Sequence, residues 1–176
     1  MDRQILQRVA GGEHGALGEL AARHEAALLG LARGLLGGST DLAEEAVQDA
    51  WVRVLSRAGS FNGDASVKTW LFRIVINRCR DIGKREARRL RRETHAAPTG
   101  EQDEPDRHEL NGELNAAVMK LPAVQREAVL LCHHRDLTHT EAAAVLGIPE
   151  GTLKSRVRAG LQRLRRELGD ESGVIR

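Results

Sequence analysis

Tyrosine is missing from this chain of 176 residues, and phenylalanine and tryptophan occur only twice each. A core built here must therefore be aliphatic. With Leu, Val and Ala abundant and few β-branched runs, the composition favours helix over sheet. Cysteine is nearly absent as well: Cys79 and Cys132 stand far apart, so no disulfide framework is expected, in keeping with a reducing compartment. No apolar run has the length a bilayer demands. The N-terminus MDRQILQRVAGGEHGAL lacks a basic start followed by an apolar stretch, so no signal peptide is predicted and the protein is expected to be soluble and cytoplasmic. A net excess of one charge is lacking too. Lys and Arg number 27 against 25 Asp and Glu, and only the placement of these charges carries information. Hydrophobic residues, at 41%, suffice for a folded core.

The apolar spacing predicts helices. From Glu13 to Leu36, residues Leu17, Leu20, Ala21, Leu28, Leu31, Leu35 and Leu36 keep to one side of a 3.6-residue period. Gly37-Gly38 ends that helix, and Ser39-Thr40-Asp41 offers capping chemistry to the next. In this next helix Leu42, Ala46, Val47, Ala50, Trp51, Val54 and Leu55 form an apolar stripe, with Glu44, Glu45, Gln48 and Asp49 elsewhere. Gly59 to Asp64 reads as a loop. A long helix is expected over Ser66–Glu93, apolar at Val67, Trp70, Leu71, Ile74, Val75 and Ile82. Arg73, Asn77, Arg80, Lys84 and Arg88 form a basic strip on its other side.

Thr94 to Arg107 changes character. It holds two of the four prolines, Pro98 and Pro105, and the acids Glu101, Asp103, Glu104 and Asp106, without a large apolar residue. A flexible linker and a domain boundary are expected here. The resulting organisation is all-α: a first domain over residues 1–93, an acidic linker over 94–108, a second domain over 109–170 and a short tail over 171–176.

The second domain begins with a short helix, Glu109–Met119. A further helix opens at Leu121-Pro122, with proline at the expected first helical position. Thr138, with Glu141 three residues on, makes a capping box for a third helix ending at Gly147. A fourth starts near Pro149 and carries Leu153, Val157, Leu161, Leu164 and Leu168 along one side. The helices Thr138–Leu146 and Pro149–Leu168, joined by Gly147-Ile148, have the pattern of a helix-turn-helix. Between Glu150 and Glu167 run Lys154, Arg156, Arg158, Arg163, Arg165 and Arg166, with no acid among them. A merely solvated face would alternate in sign, so this spacing favours DNA in contact with the second helix. Glu150, Thr152, Lys154, Ser155, Arg156 and Arg158 are the candidates for base edges, whereas Arg163, Arg165 and Arg166 suit phosphates.

The stretch from Leu121 to Leu168, above all LGIPEGTLKSRVRAGLQRLR, resembles the −35-reading domain of extracytoplasmic-function (ECF) sigma factors. Independently, ARHEAALLGLARGLLG, AEEAVQDAWVRVL and SVKTWLFRIVINRCRDIGKR resemble that family's core-binding and −10 segments, in the same order. The resemblance implies a polymerase-docking helix over Asp41–Arg57, with Asp41, Glu44, Glu45, Gln48, Asp49 and Trp51 as candidates. It also implies a −10 reader comprising Phe61, Asn62, Lys68, Arg73, Asn77, Arg78, Arg80, Lys84 and Arg85. Core RNA polymerase, promoter DNA and an anti-sigma factor are the implied partners.

A free-standing operator-binding regulator is the runner-up. It accounts for the helix-turn-helix but leaves the acidic Asp41–Arg57 helix and the basic Ser66–Arg92 helix unexplained. For an enzyme there is no support: no glycine-rich phosphate loop, zincin motif or nucleophile elbow occurs, and no cofactor or metal is expected. For the Cys132-His133-His134 run, exposed histidines and a buried cysteine are expected. The scarcity of aromatics predicts weak DNA melting and reliance on a near-consensus promoter, because few rings are available to stack on unpaired bases.

Overall fold

A computed structural model describes residues 1–93, 109–134 and 137–169. The acidic linker at 94–108 and the tail at 171–176 lie outside the described residues. Eight α-helices occupy the described chain: α1 Asp2–Ala10, α2 Gly15–Leu35, α3 Thr40–Arg57, α4 Val67–Glu93, α5 Glu109–Lys120, α6 Ala123–His134, α7 His139–Leu146 and α8 Glu150–Leu168. A 3₁₀ turn, Ala58–Ser60, follows α3 and overlaps the start of the loop expected over Gly59–Asp64.

Local chemistry sets the boundaries. Gly37 and Gly38, at φ 72° and 87°, turn the chain out of α2 in a conformation that side chains with a Cβ resist. The Ser39 hydroxyl then accepts the Leu42 N–H at 3.3 Å to begin α3, and the Ser66 hydroxyl accepts the Thr69 N–H at 3.0 Å to begin α4. Pro122 stands one position earlier than expected. It is the residue before α6, and its carbonyl accepts from Gln125 N at 2.9 Å and Arg126 N at 3.0 Å. Proline tolerates this place because no N–H is required of it. Helix α1 was not foreseen in the sequence; Ile5, Leu6 and Val9 bury its inner face.

Helices α1 to α4 enclose a core, aliphatic apart from Phe72, in which Leu6, Leu20, Leu28, Leu31, Val47, Val54, Leu71, Phe72, Ile76 and Ile82 are almost fully buried. Leu55 departs from the expected stripe and is 41% exposed. In the second domain Leu131 and Leu153 are buried, and a smaller cluster joins Ala117, Val118, Leu121, Val129 and Leu164. Arg126 closes α5 by donating from Nη2 to the carbonyls of Met119 at 2.8 Å and Leu121 at 3.0 Å.

The two helical groups pack on each other. α2 meets α6, and α4 meets α7, so that Leu131, Leu137, Ala142, Val145 and Leu153 are continuous with the core of the first group.

Candidate nucleic-acid interface

The helix-turn-helix is assembled by its caps. The Thr138 hydroxyl accepts the Glu141 N–H at 3.2 Å, and the Glu141 carboxylate accepts the Thr138 N–H at 2.9 Å, completing the capping box of α7. Gly147, left-handed at φ 66° and ψ 37°, ends α7. Pro149 then precedes α8. Leu153, Val157, Gly160 and Leu164 bury one face of α8. Outward lie Thr152, Lys154, Ser155, Arg158 and Arg163, with Arg156 half-buried at the edge. The Glu150 carboxylate accepts from Thr140 Oγ1 at 2.8 Å and lies 2.6 Å from Lys154 Nζ. Those partners, Lys154 foremost, hold its carboxyl below the usual range. The Ser155 hydroxyl donates back to the Gly151 carbonyl at 3.0 Å, which leaves its lone pairs outward.

A second basic surface runs along α4, where Arg73, Asn77, Arg80, Lys84 and Arg85 are exposed. Two of these arginines are engaged by the second domain. Arg80 binds Glu127 through Nε and Nη2, each at 2.7 Å, and donates from Nη1 to Asn77 Oδ1 at 3.1 Å. Arg73 donates to the carbonyls of Ala144 and Val145 at the end of α7. Two others face α3: Arg78 donates from Nε to Asp49 at 2.6 Å, and Arg85 grips both oxygens of Glu45 at 2.7 and 2.8 Å. Before α4, Phe61 meets Trp70 edge to face with ring centroids 5.5 Å apart. Asn62 is exposed and bonded to Asp64, and Lys68 is half-buried. Phe72 is fully buried and belongs to the core.

The candidate acids of α3 thus divide. Glu45 and Asp49 turn toward α4, while Asp41, Glu44 and Gln48 point outward. Trp51 packs against the core, half-buried. The outward stripe continues into Val52, 64% exposed, and Leu55, two residues that the sequence reading left out of the candidate docking set. Their signal was available in the spacing: Glu44, Gln48 and Val52 recur every fourth residue, on one helix face.

Burial pushes the Cys79 thiol up to about 12, and Cys132 is half-buried rather than buried. His133 is exposed. Among the described residues no three His, Cys, Asp or Glu side chains gather as a metal ion would need, and no helix is long and apolar enough to cross a membrane.

Comparison with known proteins places both basic surfaces in one family. Residues 20–93 match the family model of Sigma-70 region 2, and residues 111–164 match that of Sigma-70, region 4. The chain is 36% identical over 175 residues to the ECF RNA polymerase sigma factor SigM of Mycobacterium tuberculosis, covering 96% of this chain and 85% of that protein. It is 37% identical over 136 residues to the ECF RNA polymerase sigma factor RpoE of Cereibacter sphaeroides, covering 75% of each. Among solved structures it resembles CnrH in complex with the cytosolic domain of CnrY, with a TM-score of 0.72, 27% identity, and coverage of 97% of this chain and 99% of that one. A similar likeness, TM-score 0.70 and 27% identity over 86% of this chain and 95% of the other, links it to RpoE in complex with the anti-sigma factor NepR from Bartonella quintana. With a region 2 that carries α3 and α4, and a region 4 that carries the helix-turn-helix, the chain belongs to the ECF sigma factors, which bind core RNA polymerase and promoter DNA to direct transcription initiation and are not enzymes.

Proposed function

We propose that the two basic surfaces divide the promoter between them, α8 reading the −35 element and α4 with its preceding loop reading the −10 element. The observation that carries this division is the presence, on one chain, of two exposed basic helix faces belonging to separately matched regions. The first turns of α8 enter the major groove. Thr152, Lys154, Ser155, Arg156 and Arg158 lie there to meet base edges, and Glu150, oriented by Thr140 and Lys154, is placed to accept from a cytosine amino group. Arg163, two turns further on, meets phosphate.

On α4, Arg73, Asn77, Arg78, Arg80, Lys84 and Arg85 follow the backbone of the unpaired strand, with Phe61, Asn62 and Lys68 at the entry to the helix. Phe72 is buried and Phe61 is already in contact with Trp70, so few rings remain for stacking, in accord with weak melting. The docking face for polymerase combines Asp41, Glu44 and Gln48 with Val52 and Leu55. In this reading Glu45 and Asp49 serve it indirectly, by fixing α3 to α4, and Trp51 by packing beneath it.

The domains are residues 1–93 and 109–170, joined by an acidic linker that lets them reach separate elements. Two solved relatives are held by CnrY and by the anti-sigma factor NepR, which supports an anti-sigma partner here as well. The cytoplasm, where core polymerase works, is the location this activity requires.

Run-off transcription on genomic fragments, with core polymerase alone and with the protein added, tests the division. Discrete starts that require the protein, and that weaken with substitutions on either α4 or α8, are expected. Starts that ignore substitutions on α4 would refute the −10 assignment.

A further inference from the structure

Helix α1 is clamped to its neighbours at both ends. Near its start the Asp2 carboxylate accepts from Arg23 at 3.0 Å and lies 2.8 Å from His24 Nε2. Near its end Arg8 donates to Glu13 at 2.9 Å and to Glu19 at 3.0 Å. Between these ties Ile5, Leu6 and Val9 are buried, and α1 also packs against the Ala58–Ser60 turn. The helix is therefore fixed beside the loop that leads into α4.

Arg3 makes use of that position. Its guanidinium lies over Gly63: a Cβ built on this glycine would stand 2.9 Å from Nη2, 3.0 Å from Cζ and 3.1 Å from Nη1. Near-equal distances to the central carbon and to both terminal nitrogens put that point above the guanidinium plane, not beyond its edge. Gly63, at φ 83°, both turns the loop and leaves room for the cation. One face of the guanidinium thus rests on the loop. Arg3 is exposed, so the other face is open. The acids nearest in sequence are occupied, Asp2 by Arg23 and His24 and Asp64 by Asn62. Among the described residues Arg3 shares no hydrogen bond or ion pair, whereas Arg8, the other arginine of α1, is held by two carboxylates.

A planar cation with one free face is a stacking surface for a nucleobase. Such a surface matters in a chain with two Phe and two Trp. Phe72 is buried, Phe61 and Trp70 contact each other, and Trp51 packs against the core.

We propose that Arg3 is a further contact to the unpaired promoter strand, its guanidinium seated on Gly63 and receiving a base on its open face. Helix α1 thereby lends the −10 loop a platform that the loop's own residues lack. The plane is already held in place, so little ordering is required on binding, and its charge attracts the flanking phosphates. The assignment rests on reading Phe61, Asn62 and Lys68 as the entry to the −10 site.

The test uses core polymerase loaded with the full chain. The probe is duplex DNA with a preformed bubble at the −10 element of a promoter identified by run-off transcription. Its unpaired strand is supplied intact or with one abasic site, moved along the bubble. Arg3→Ala removes plane and charge, and Arg3→Lys keeps the charge alone. Both should melt like wild type, because Arg3 is exposed and unpaired. On the intact strand both should bind at least about five-fold more weakly, the low end for one stacked base. At one position the abasic site should weaken wild type by the same factor and leave the variants unaffected.

A loss that is equal at every abasic position and restored by Arg3→Lys would overturn the platform, leaving only a phosphate contact. Variants that bind the intact strand like wild type would remove Arg3 from the promoter altogether. Asn77→Ala and Lys84→Ala, on α4, separate this failure from a wider one. If they weaken binding while the Arg3 variants do not, the Arg3 contact alone falls; if they too bind like wild type, the −10 reading falls with it.

Discussion

Arg78 of α4 lies against Asp49 of α3, its Nε 2.6 Å from the carboxylate, and its Nη2 reaches Glu45 at 3.7 Å. Together with Arg85 on Glu45, this pair ties α3 to α4. The acids also offset the positive charge of α4 at Arg78 and Arg85. An acid read as a docking contact is thus in part an internal strut.

Asp49→Ala is therefore expected to act mainly through the fold. Arg78 is 21% exposed and Asp49 42%, so the loss should be about 0.2–1 kcal/mol, the range for partly solvated pairs. Urea unfolding measures it. Polymerase binding reduced far beyond that loss would instead make Asp49 a direct contact.

Val52 offers the opposite case. At 64% exposure it contributes little to the core, so Val52→Asp should leave the melting temperature almost unchanged. On a docking face that excludes water, a buried unpaired carboxylate is costly, and affinity for core polymerase should fall at least tenfold. Competition against labelled wild-type protein for core polymerase checks this, with normal affinity ruling Val52 out of the face.

Arg156 is half-buried between the packed and open faces of α8. If it pairs with a base, Arg156→Ala should cost about 1–3 kcal/mol and relax preference at one promoter position. The same loss on every sequence would mark a phosphate contact. Binding to a randomised −35 library distinguishes the two.

The contrast between these residues explains what was legible in the sequence. Helices α2 to α8 announced themselves through apolar period and capping residues, because those signals are local: Gly37-Gly38, Ser39, the Thr138–Glu141 box and Gly147 each act within a few residues. Helix α1 was missed because nine residues with three buried positions give little periodicity. Leu55 was misplaced because an apolar residue signals burial equally well against its own core or against another protein. The partners of Arg73 and Arg80 were beyond reach. They lie 71 and 47 positions away, and nothing local distinguishes an arginine awaiting phosphate from one already holding a carboxylate.

The two thiols should react at different rates. Cys79 is buried with its thiol pushed up to about 12, whereas Cys132 is half-buried and raised as well, by burial. The thiolate is the nucleophile, so neutral-pH alkylation should label Cys132 slowly and Cys79 only on unfolding. Peptide mapping of a timed iodoacetamide reaction reads the order; equal rates would mean that the α4 core opens readily.

The capping box at the head of the helix-turn-helix makes acid stability a readout of the DNA-binding domain. The backbone N–H of Thr138, and next its hydroxyl, hold the Glu141 carboxyl below its ordinary value. A carboxylate depressed in the folded state adds stability that is complete above its unfolded pKa and is lost as pH falls through the folded one. Wild type should therefore lose stability relative to Glu141→Gln as pH falls below about 4.3, the ordinary glutamate value, because glutamine completes the box without titrating. Thr138→Ala removes the hydroxyl and should cost about 0.5–2 kcal/mol at neutral pH. Urea midpoints measured for the three proteins across the acid range separate the contributions. Parallel pH profiles for wild type and Glu141→Gln would show that the Thr138 contacts do not favour the ionised carboxylate.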